Sequence, residues 1–181
     1  MTALRAVPQP LSHRLFFAIR PPAEITALMG QVRDSLDERA TPVTDDRLHV
    51  TLLSLPEYDE LPDGMADALV EMAAGIEAPS FRIVLDRLIS GAHSALLAPS
   101  EMPEGLRLFR ERLGFTMIRS GFGLRLHNRF SPHVTLLYNN WRMFDEQIDP
   151  ISWEVEDFVL IHSHVGATRH VELGRWKLGG A

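Results

Sequence analysis

The sequence predicts an α+β fold, built as two pseudo-symmetric lobes of mixed or antiparallel sheet. The first observation is a duplication, because the pentapeptide His-Val-Thr-Leu-Leu occurs at 49–53 and again at 133–137. The second is that each half of the chain has the pattern of a strand, a helix and a His-Thr strand, with further strands alongside. No stretch rich in Pro, Gly and Ser divides the halves, so we expect one domain with internal symmetry.

The first half begins with a tail and continues as alternating strands and helices. Residues 1–13 are expected to be disordered or extended, because they show no periodicity and contain two prolines, and the domain then covers 14–181. The long helix is predicted from apolar residues at helical spacing after Pro21 and Pro22. The predicted elements are strand 14–20, helix 22–39, turn 41–46, strand 48–55 ended by Pro56, loop 57–64 and helix 65–76.

The second half contains one strong helix signal among several strands. A helix is predicted to begin at Pro103 and end near Gly121, because Leu106, Phe109, Leu113 and Met117 lie on one helical face. The other predicted elements are strands 81–89 and 94–98, a short strand or loop at 122–127, strand 131–138, a loop at 139–150, and strands 153–162 and 170–178.

Composition excludes several classes of function. The 181 residues include no cysteine, so no disulfide framework, thiolate metal site or cysteine nucleophile is available. The net charge of −6 argues against a broad nucleic-acid footprint. The N-terminus lacks an apolar signal core, and no apolar run there is long enough to span a bilayer. We therefore expect a soluble, cytoplasmic, monomeric protein that does not contact membranes.

The charges are unevenly distributed along the chain. Residues 57–77 carry seven acidic residues and no basic ones, whereas 107–142 carry seven arginines and one acid. The second His-Thr motif lies inside the basic stretch. Two solvated helix faces of opposite sign would explain this pattern, and so would a local positive field for a small anionic ligand.

The duplicated motif places the same two polar side chains on one face of each strand. Alternate residues of a strand share a face, so His49 and Thr51 point one way, and His133 and Thr135 do the same in their strand. Each strand then presents an imidazole and a hydroxyl roughly 7 Å apart. If the lobes pack about a pseudo-two-fold axis, these faces line one cleft.

Two opposed histidines are suited to phosphodiester chemistry. A neutral imidazole accepts a proton from the attacking group, and a protonated one donates to the leaving oxygen, since both forms exist near the usual imidazole pKa of about 6.5. Threonine hydroxyls can stabilise charge on the phosphoryl oxygens. A lone His-x-Thr is more often structural, but its duplication favours function. The arrangement needs no metal, and the sequence contains no H-E-x-x-H motif or P-loop.

Five segments carry a resemblance to a known family. They are RLFFAI at 14–19, the helix after Pro21-Pro22, RLHVTLLSL at 47–55, FSPHVTLLY at 130–138 and WEVEDFVLIHS at 153–163. In this order and spacing they resemble the two-histidine (2H) phosphoesterase superfamily. The resemblance is to its LigT-like branch of 2′-5′ RNA ligases and RNA 2′,3′-cyclic phosphodiesterases, and it extends from about residue 14 to the C-terminus.

The resemblance implies a bilobal fold with helices packed outside and both motifs facing a central cleft. It implies His49 and His133 as the acid–base pair, Thr51 and Thr135 as phosphate ligands, and neither metal nor cofactor. The implied substrate is a small nucleotide or RNA end with a 2′,3′-cyclic phosphate, or a 2′-5′ linkage. By analogy His133 would activate water and His49 would protonate the 3′ oxygen, which leaves a 2′-phosphate. Ligation by reversal of a 2′-5′ transfer stays open.

Four further residues are candidates for substrate binding. Phe16 would form a stacking wall for a base, and Arg47 and Arg129 would meet phosphate, because they share the strand parity of the histidines. Tyr138 stands where many LigT-like members carry an arginine, and it would stack on a base or bond a phosphate. Packing for the aromatic residues and simple solvation for the arginines are the alternatives.

Two other classes of function remain open at this point. The first is a nucleotide- or RNA-end-binding module of the same fold without significant turnover. The second is a metal-dependent hydrolase built on His162, His164 and His170, with Glu154 and Glu156 nearby in sequence. For these three histidines, a structural or exposed role is the competing interpretation.

Overall fold

The computed structural model describes residues 12–36, 39–91, 93–123, 130–140 and 142–179. Its strands are β1 (Ser12–Ile19), β2 (Thr41–Pro42), β3 (Val50–Tyr58), β4 (Phe81–Gly91), β5 (His93–Ala98), β6 (Val134–Asn140), β7 (Phe144–Val155), β8 (Asp157–Val165) and β9 (Arg169–Lys177). Its helices are α1 (Ala23–Asp34), α2 (Met65–Ala74) and α3 (Glu104–Arg119), with a 3₁₀ turn at Asp45–Arg47. The α+β class is confirmed.

All strands of the described residues belong to one open sheet of order β7-β4-β5-β6-β3-β1-β8-β9, with β2 attached to β6. Every pairing among them is antiparallel, so no mixed sheet forms. The sheet divides into two lobes at its centre, where β3 and β6 are joined by the single pair Val50 and Val134. The first lobe contains β3, β1, β8 and β9, and the second contains β6, β5, β4 and β7.

The lobes repeat one pattern but are not the two halves of the sequence. In the first lobe β1 leads through α1 to the His-Thr strand β3, and in the second lobe β5 leads through α3 to the His-Thr strand β6. On the side away from the His-Thr strand, β1 lies next to β8 in the first lobe, and β5 lies next to β4 in the second. Because β8 and β9 come last in the chain, both ends of the domain lie in the first lobe.

Because side chains alternate along the strands, apolar residues form a large core on one side of the sheet and a small cluster on the other. On β1, Leu15 and Phe17 point into the main core, which includes the buried faces of all three helices. Phe16 and Ala18 point to the opposite side, where they form a second cluster with Val159 and Ile161 of β8. The duplicated motif follows the same rule through its fourth residue, with Val50, Leu52, Val134 and Leu136 fully or almost fully buried. Its fifth residue breaks the alternation: Leu53 and Leu137 also join the main core, where the registers with β1 and β5 shift.

Several predicted boundaries were wrong for identifiable reasons. Strand β3 continues through Pro56 because the register with β1 shifts there, so the missing proline N–H falls at an irregularity of the ladder. The predicted loop 139–150 is mostly strand, since β6 continues to Asn140 and β7 begins at Phe144. Strand β1 begins at Ser12, inside the predicted tail, and α1 ends at Asp34, five residues early.

Other predicted features lie outside the described residues. These are residues 1–11 of the tail, Trp141 in the predicted loop, and most of the short segment at 122–127. Within the described part of the chain, no helix combines the length and apolar character needed to cross a membrane.

Gly105 in α3 offers a test of the packing between this helix and β4. A Cβ at this position would lie 2.3 Å from Cβ of Phe81, so backbone would have to move. Alanine has the higher helix propensity by about 1 kcal/mol, but we expect the clash to dominate. Gly105→Ala should lower the free energy of unfolding by about 1–3 kcal/mol in urea denaturation. The control is Gly91→Ala, whose added methyl meets nothing within 4 Å, and an equal loss there would contradict the packing argument.

Candidate active site

A cleft of about 410 Å³ lies where the two lobes meet. All four residues of the duplicated motif that were predicted to share a face line it, namely His49, Thr51, His133 and Thr135. The cleft is also bordered by β1 and by the connection between β8 and β9. The structure therefore brings the two motifs together on the side of the sheet opposite the main core.

The pairing of Val50 with Val134 explains this juxtaposition. Both valines are fully buried beneath the sheet, so the residues that flank each of them point to the other side. Continuing the antiparallel register places His49 across from Thr135, and Thr51 across from His133. Each imidazole is thus next to the hydroxyl of the other motif, which is the arrangement a two-fold axis through the valine pair produces.

The backbone fixes the same tautomer in both imidazoles. Nδ1 of His49 lies 2.6 Å from the carbonyl oxygen of Arg47, and Nδ1 of His133 lies 2.9 Å from that of Ser131. A carbonyl oxygen can only accept, so each Nδ1 carries a proton and donates it. The second ring nitrogen, Nε2, is left in both cases to accept a proton or, once protonated, to donate one.

His49 and His170 are neutral in the free cleft near pH 7. Burial lowers the pKa of His49 to about 4, an effect opposed by its bond to the Arg47 carbonyl and increased by the charges of Arg20, Arg47 and His133. Burial likewise lowers the pKa of His170 to about 4, with further lowering from His49, Arg47 and Arg20. The cleft therefore disfavours added positive charge until an anion enters it.

Phe16 forms a floor beneath two imidazoles. Its ring centroid lies 5.0 Å from that of His49 and 5.4 Å from that of His170, and the two imidazoles are 5.5 Å apart. Only 5% of Phe16 is exposed, because its ring packs on the two imidazoles and on the apolar cluster that lies on the same side of the sheet. Phe16 lines the cleft, and its ring is shared between the imidazoles and this cluster.

The other predicted substrate-binding residues have different positions. Arg47 lines the cleft, and its Nε atom is buried without a hydrogen-bond partner among the described residues. Tyr138 lines the cleft with 45% of its surface exposed. Arg129 lies outside the described residues. Arg47 thus has donor capacity available for an anion in the cleft.

Sequence reasoning missed several polar residues that also line the cleft. Arg14 and Ser54 lie on β1 and β3, and Ser163 and Thr168 lie on β8 and in the turn that follows it. Arg14 has the same strand parity as Phe16, which is a signal the sequence contains, and it pairs with Glu57. Ser163 faces the cleft because β8 pairs with β1, a long-range pairing with no local sequence signal.

The grouping of His162, His164 and His170 that a metal-dependent hydrolase would need is not formed. On β9, His170 pairs with Ser163 and so shares its face, towards the cleft. His162 and His164 alternate with Ser163 along β8, so their side chains lie on the other face of the strand. There they meet His13 of β1 instead.

The family comparison agrees with this geometry. The family model described as the 2′-5′ RNA ligase superfamily matches residues 17–167, a segment that contains both His-Thr motifs. No curated protein matches the chain by sequence.

Solved structures of similar fold cover nearly the whole chain. LigT from E. coli in complex with NADP+ is 30% identical, with a TM-score of 0.76 over 93% of this chain and 99% of that one. LigT from E. coli in apo form is 32% identical, with a TM-score of 0.75 over 94% and 99%. The protein TT0787 of Thermus thermophilus is 25% identical, with a TM-score of 0.72 over 92% and 98%.

The match covers both lobes and both motifs, in a fold whose paired histidines and threonines share one cleft. The chain belongs to the 2′-5′ RNA ligase superfamily of two-histidine phosphoesterases.

Proposed function

We propose that the chain hydrolyses the 2′,3′-cyclic phosphate of a small nucleotide or an RNA 3′ end, leaving a 2′-phosphate, with His49 and His133 as the acid–base pair. The observation that carries this proposal is the shared tautomer. Both histidines donate from Nδ1 to a backbone carbonyl and keep Nε2 for the cleft. Two equivalent nitrogen atoms beside two hydroxyls supply the proton acceptor, the proton donor and the phosphate contacts of the reaction.

The reaction requires one neutral and one protonated imidazole. The neutral Nε2 takes a proton from water as its oxygen forms a bond to phosphorus. The protonated Nε2 gives its proton to the 3′ oxygen as the bond between phosphorus and that oxygen breaks. The products are a 2′-phosphomonoester and a free 3′ hydroxyl, and proton exchange with solvent restores the two imidazoles. Following the family resemblance, we assign water activation to His133 and protonation of the leaving oxygen to His49.

Because His49 has a low pKa in the free protein, we expect the bound substrate to promote its protonation. In the free cleft burial keeps this imidazole neutral at pH 7, with a pKa of about 4. A phosphodiester anion beside the ring favours the protonated form, because an opposite charge within a few ångströms raises the pKa of a base. Binding of the cyclic phosphate therefore shifts His49 towards the protonated form that the reaction requires.

The phosphate is held between the two motifs by hydroxyl and guanidinium donors. Thr51 and Thr135 lie next to the imidazoles of the opposite strands, so both can donate to non-bridging oxygens of one phosphoryl group. Arg47 adds a positive charge from the same side. We place the nucleoside towards Tyr138 and Phe16, and we expect Arg129 to contact the phosphate or a neighbouring one.

Known relatives support a nucleotide ligand. E. coli LigT has been crystallised with 3′-AMP, with phosphate, with ATP and with NADP+. We infer that the cleft of this chain takes ligands of the same class, a phosphate group attached to a nucleoside.

Hydrolysis of the four nucleoside 2′,3′-cyclic monophosphates and of a short RNA with a cyclic phosphate end tests the proposal directly. With EDTA present, wild-type protein should form the 2′-phosphate, identified by chromatography against 2′ and 3′ standards. His49→Ala and His133→Ala should each lower kcat by about 100-fold or more, because each removes a general acid or base. Thr51→Ala and Thr135→Ala should cost less.

His93→Asn is the matched control for the histidine variants. His93 does not line the cleft, and asparagine tolerates its positive φ of 104°. Near wild-type turnover by His133→Ala would refute the two-histidine mechanism. Tight nucleotide binding without turnover by the wild type would instead identify a binding module of the same fold.

The pH dependence of kcat/KM should show an acid limb well below the usual imidazole range. The active form carries one proton on the histidine pair, so activity is lost below the lower of the two pKa values, where both rings are protonated. Since burial lowers the pKa of His49 to about 4, we expect kcat/KM to persist at pH 5 and to fall near pH 4. The acid limb of kcat should lie at higher pH, because bound phosphate raises the pKa.

The matched control for this profile is His170→Phe, which removes the other cleft imidazole whose pKa is about 4. If His49 sets the acid limb, the limb remains in this variant. An acid limb of kcat/KM near pH 6.5 in the wild type would show that the burial of His49 does not control the profile. Circular dichroism at each pH separates unfolding from titration.

Arg47→Met tests the phosphate contact. The substitution keeps the backbone carbonyl that orients His49, but it removes the charged donor whose Nε has no partner in the described structure. We expect KM for a cyclic mononucleotide to rise by about 10-fold or more, the loss typical of a charge-assisted hydrogen bond. Arg14→Met is the control, because the Arg14 guanidinium is already paired with Glu57. An equal effect of both substitutions would contradict a specific role for Arg47.

A further inference from the structure

Three histidines form a cluster in the first lobe that the proposed reaction does not use. One nitrogen atom from each of His13, His162 and His164 lies within 4.8 Å of the other two. The nearest approach is 2.8 Å, between Nδ1 of His13 and Nε2 of His162. The ring centroids are 4.3 Å apart for His162 and His164, and 5.0 and 5.3 Å from His13 to those two rings.

The backbone register produces this cluster without help from a loop. His162 and His164 are alternate residues of β8, so their side chains share a face. His13 of β1 is paired directly with His164, and Leu15, the next residue on the same face of β1, is paired with His162. Cross-strand partners and alternate residues are close neighbours on one face of a sheet. The three rings are therefore held by two paired strands, a rigid support for a set of ligands.

Ordinary packing does not account well for this composition. A hydrogen bond between His13 and His162 satisfies one nitrogen of each ring, and His164 lies tilted against His162 and edge-on to His13. Three imidazoles repel one another when protonated, and the group contains no carboxylate to compensate. All three side chains are partly buried rather than sealed in the core, so an ion can reach them from solvent.

The geometry is close to that of a three-imidazole metal site. Zinc binds imidazole nitrogen at about 2.0–2.1 Å, so tetrahedral ligands lie about 3.3–3.4 Å apart. The nitrogen atoms here span 2.8 Å at the closest pair and at most 4.8 Å, so shifts below about 1.5 Å bring them to that spacing. Three histidines plus one water is a common ligand set for Zn²⁺.

We propose that His13, His162 and His164 bind one late first-row divalent cation, with Zn²⁺ as the reference ion. The ion would clamp the start of β1 to the end of β8 and stabilise the first lobe. Imidazole suits zinc, copper and nickel, whereas magnesium and calcium require oxygen ligands. Arg169, the partner of His164 on β9, lowers the pKa of both His162 and His164 through its charge. Because Arg169 is exposed, solvent and salt weaken its repulsion of a bound ion.

This site is separate from the acid–base pair and does not depend on the proposed function. The three rings lie on the face of β8 opposite Ser163, whereas His49, His133 and His170 line the cleft. His164 reaches the rim of the cleft, but Nε2 of neither catalytic candidate belongs to the cluster. Hydrolysis in EDTA and metal binding by this cluster are therefore independent observations.

Isothermal titration of Zn²⁺ into chelator-treated, untagged protein tests the inference. We expect one ion per wild-type chain and an increase in Tm with Zn²⁺ but not with Mg²⁺. His13→Ala and His162→Ala should each weaken binding by at least about 10–100-fold, since loss of even an outer-shell partner has an effect of that size. Both variants should also lose the Zn²⁺-dependent increase in Tm.

Two control variants separate this site from the cleft. His170→Ala and the double variant His49→Ala/His133→Ala should keep wild-type Zn²⁺ affinity, because none of these rings belongs to the cluster. Unchanged affinity in His13→Ala and His162→Ala, or loss of binding in the cleft variants, would overturn the proposal. Absence of binding to the wild type would overturn it as well. His13→Gln replaces His13→Ala if the alanine variant does not fold.

Discussion

The antiparallel pair of Val50 and Val134 is the contact on which the site depends. Among the described residues it is the one register pair between β3 and β6, and both side chains are fully buried. Because alternate residues of a strand point to opposite sides, burying these valines directs the flanking His and Thr of both motifs into one cleft. A shift by one residue in either strand would send its histidine into the core. Apolar packing on one side of the sheet therefore sets the positions of the His and Thr side chains on the other side.

The cleft combines two electrostatic requirements that oppose each other. In the proposed function a phosphate needs positive charge nearby, and Arg47 would supply it from a buried Nε that has no partner among the described residues. Burial, together with the same charge, lowers the pKa of His49 and His170 to about 4 and holds both rings neutral in the free protein. Entry of an anion relieves this conflict, since it pairs with the guanidinium and favours a proton on His49. In the proposed reaction, substrate binding and protonation of His49 are thereby coupled.

Sequence patterns predicted the parts of the structure that rest on local periodicity. The duplication and the period-two alternation identified the faces of His49 and His133, and helical spacing identified the buried residues of α3. The sequence did not show which distant strands pair with each other or in what register. The sequence left open a metal site formed by His162, His164 and His170, but the β8–β9 register turns His170 towards the cleft. Likewise the first part of β7 was predicted as loop, since neither its polar residues nor Pro150 mark a strand that pairs with β4 across a register shift.

The two motifs are identical in sequence, but the two lobes surround their histidines differently. His49 packs on Phe16 and His170, rings contributed by β1 and β9 of its own lobe. No aromatic ring packs on His133 among the described residues of the second lobe. Both imidazoles keep the same tautomer through the carbonyl two residues before them, so the duplication preserved the proton geometry while the neighbours diverged. In the proposed reaction His49 and His133 therefore share their tautomer but differ in how far they are enclosed, so the two rings can take the different roles of acid and base.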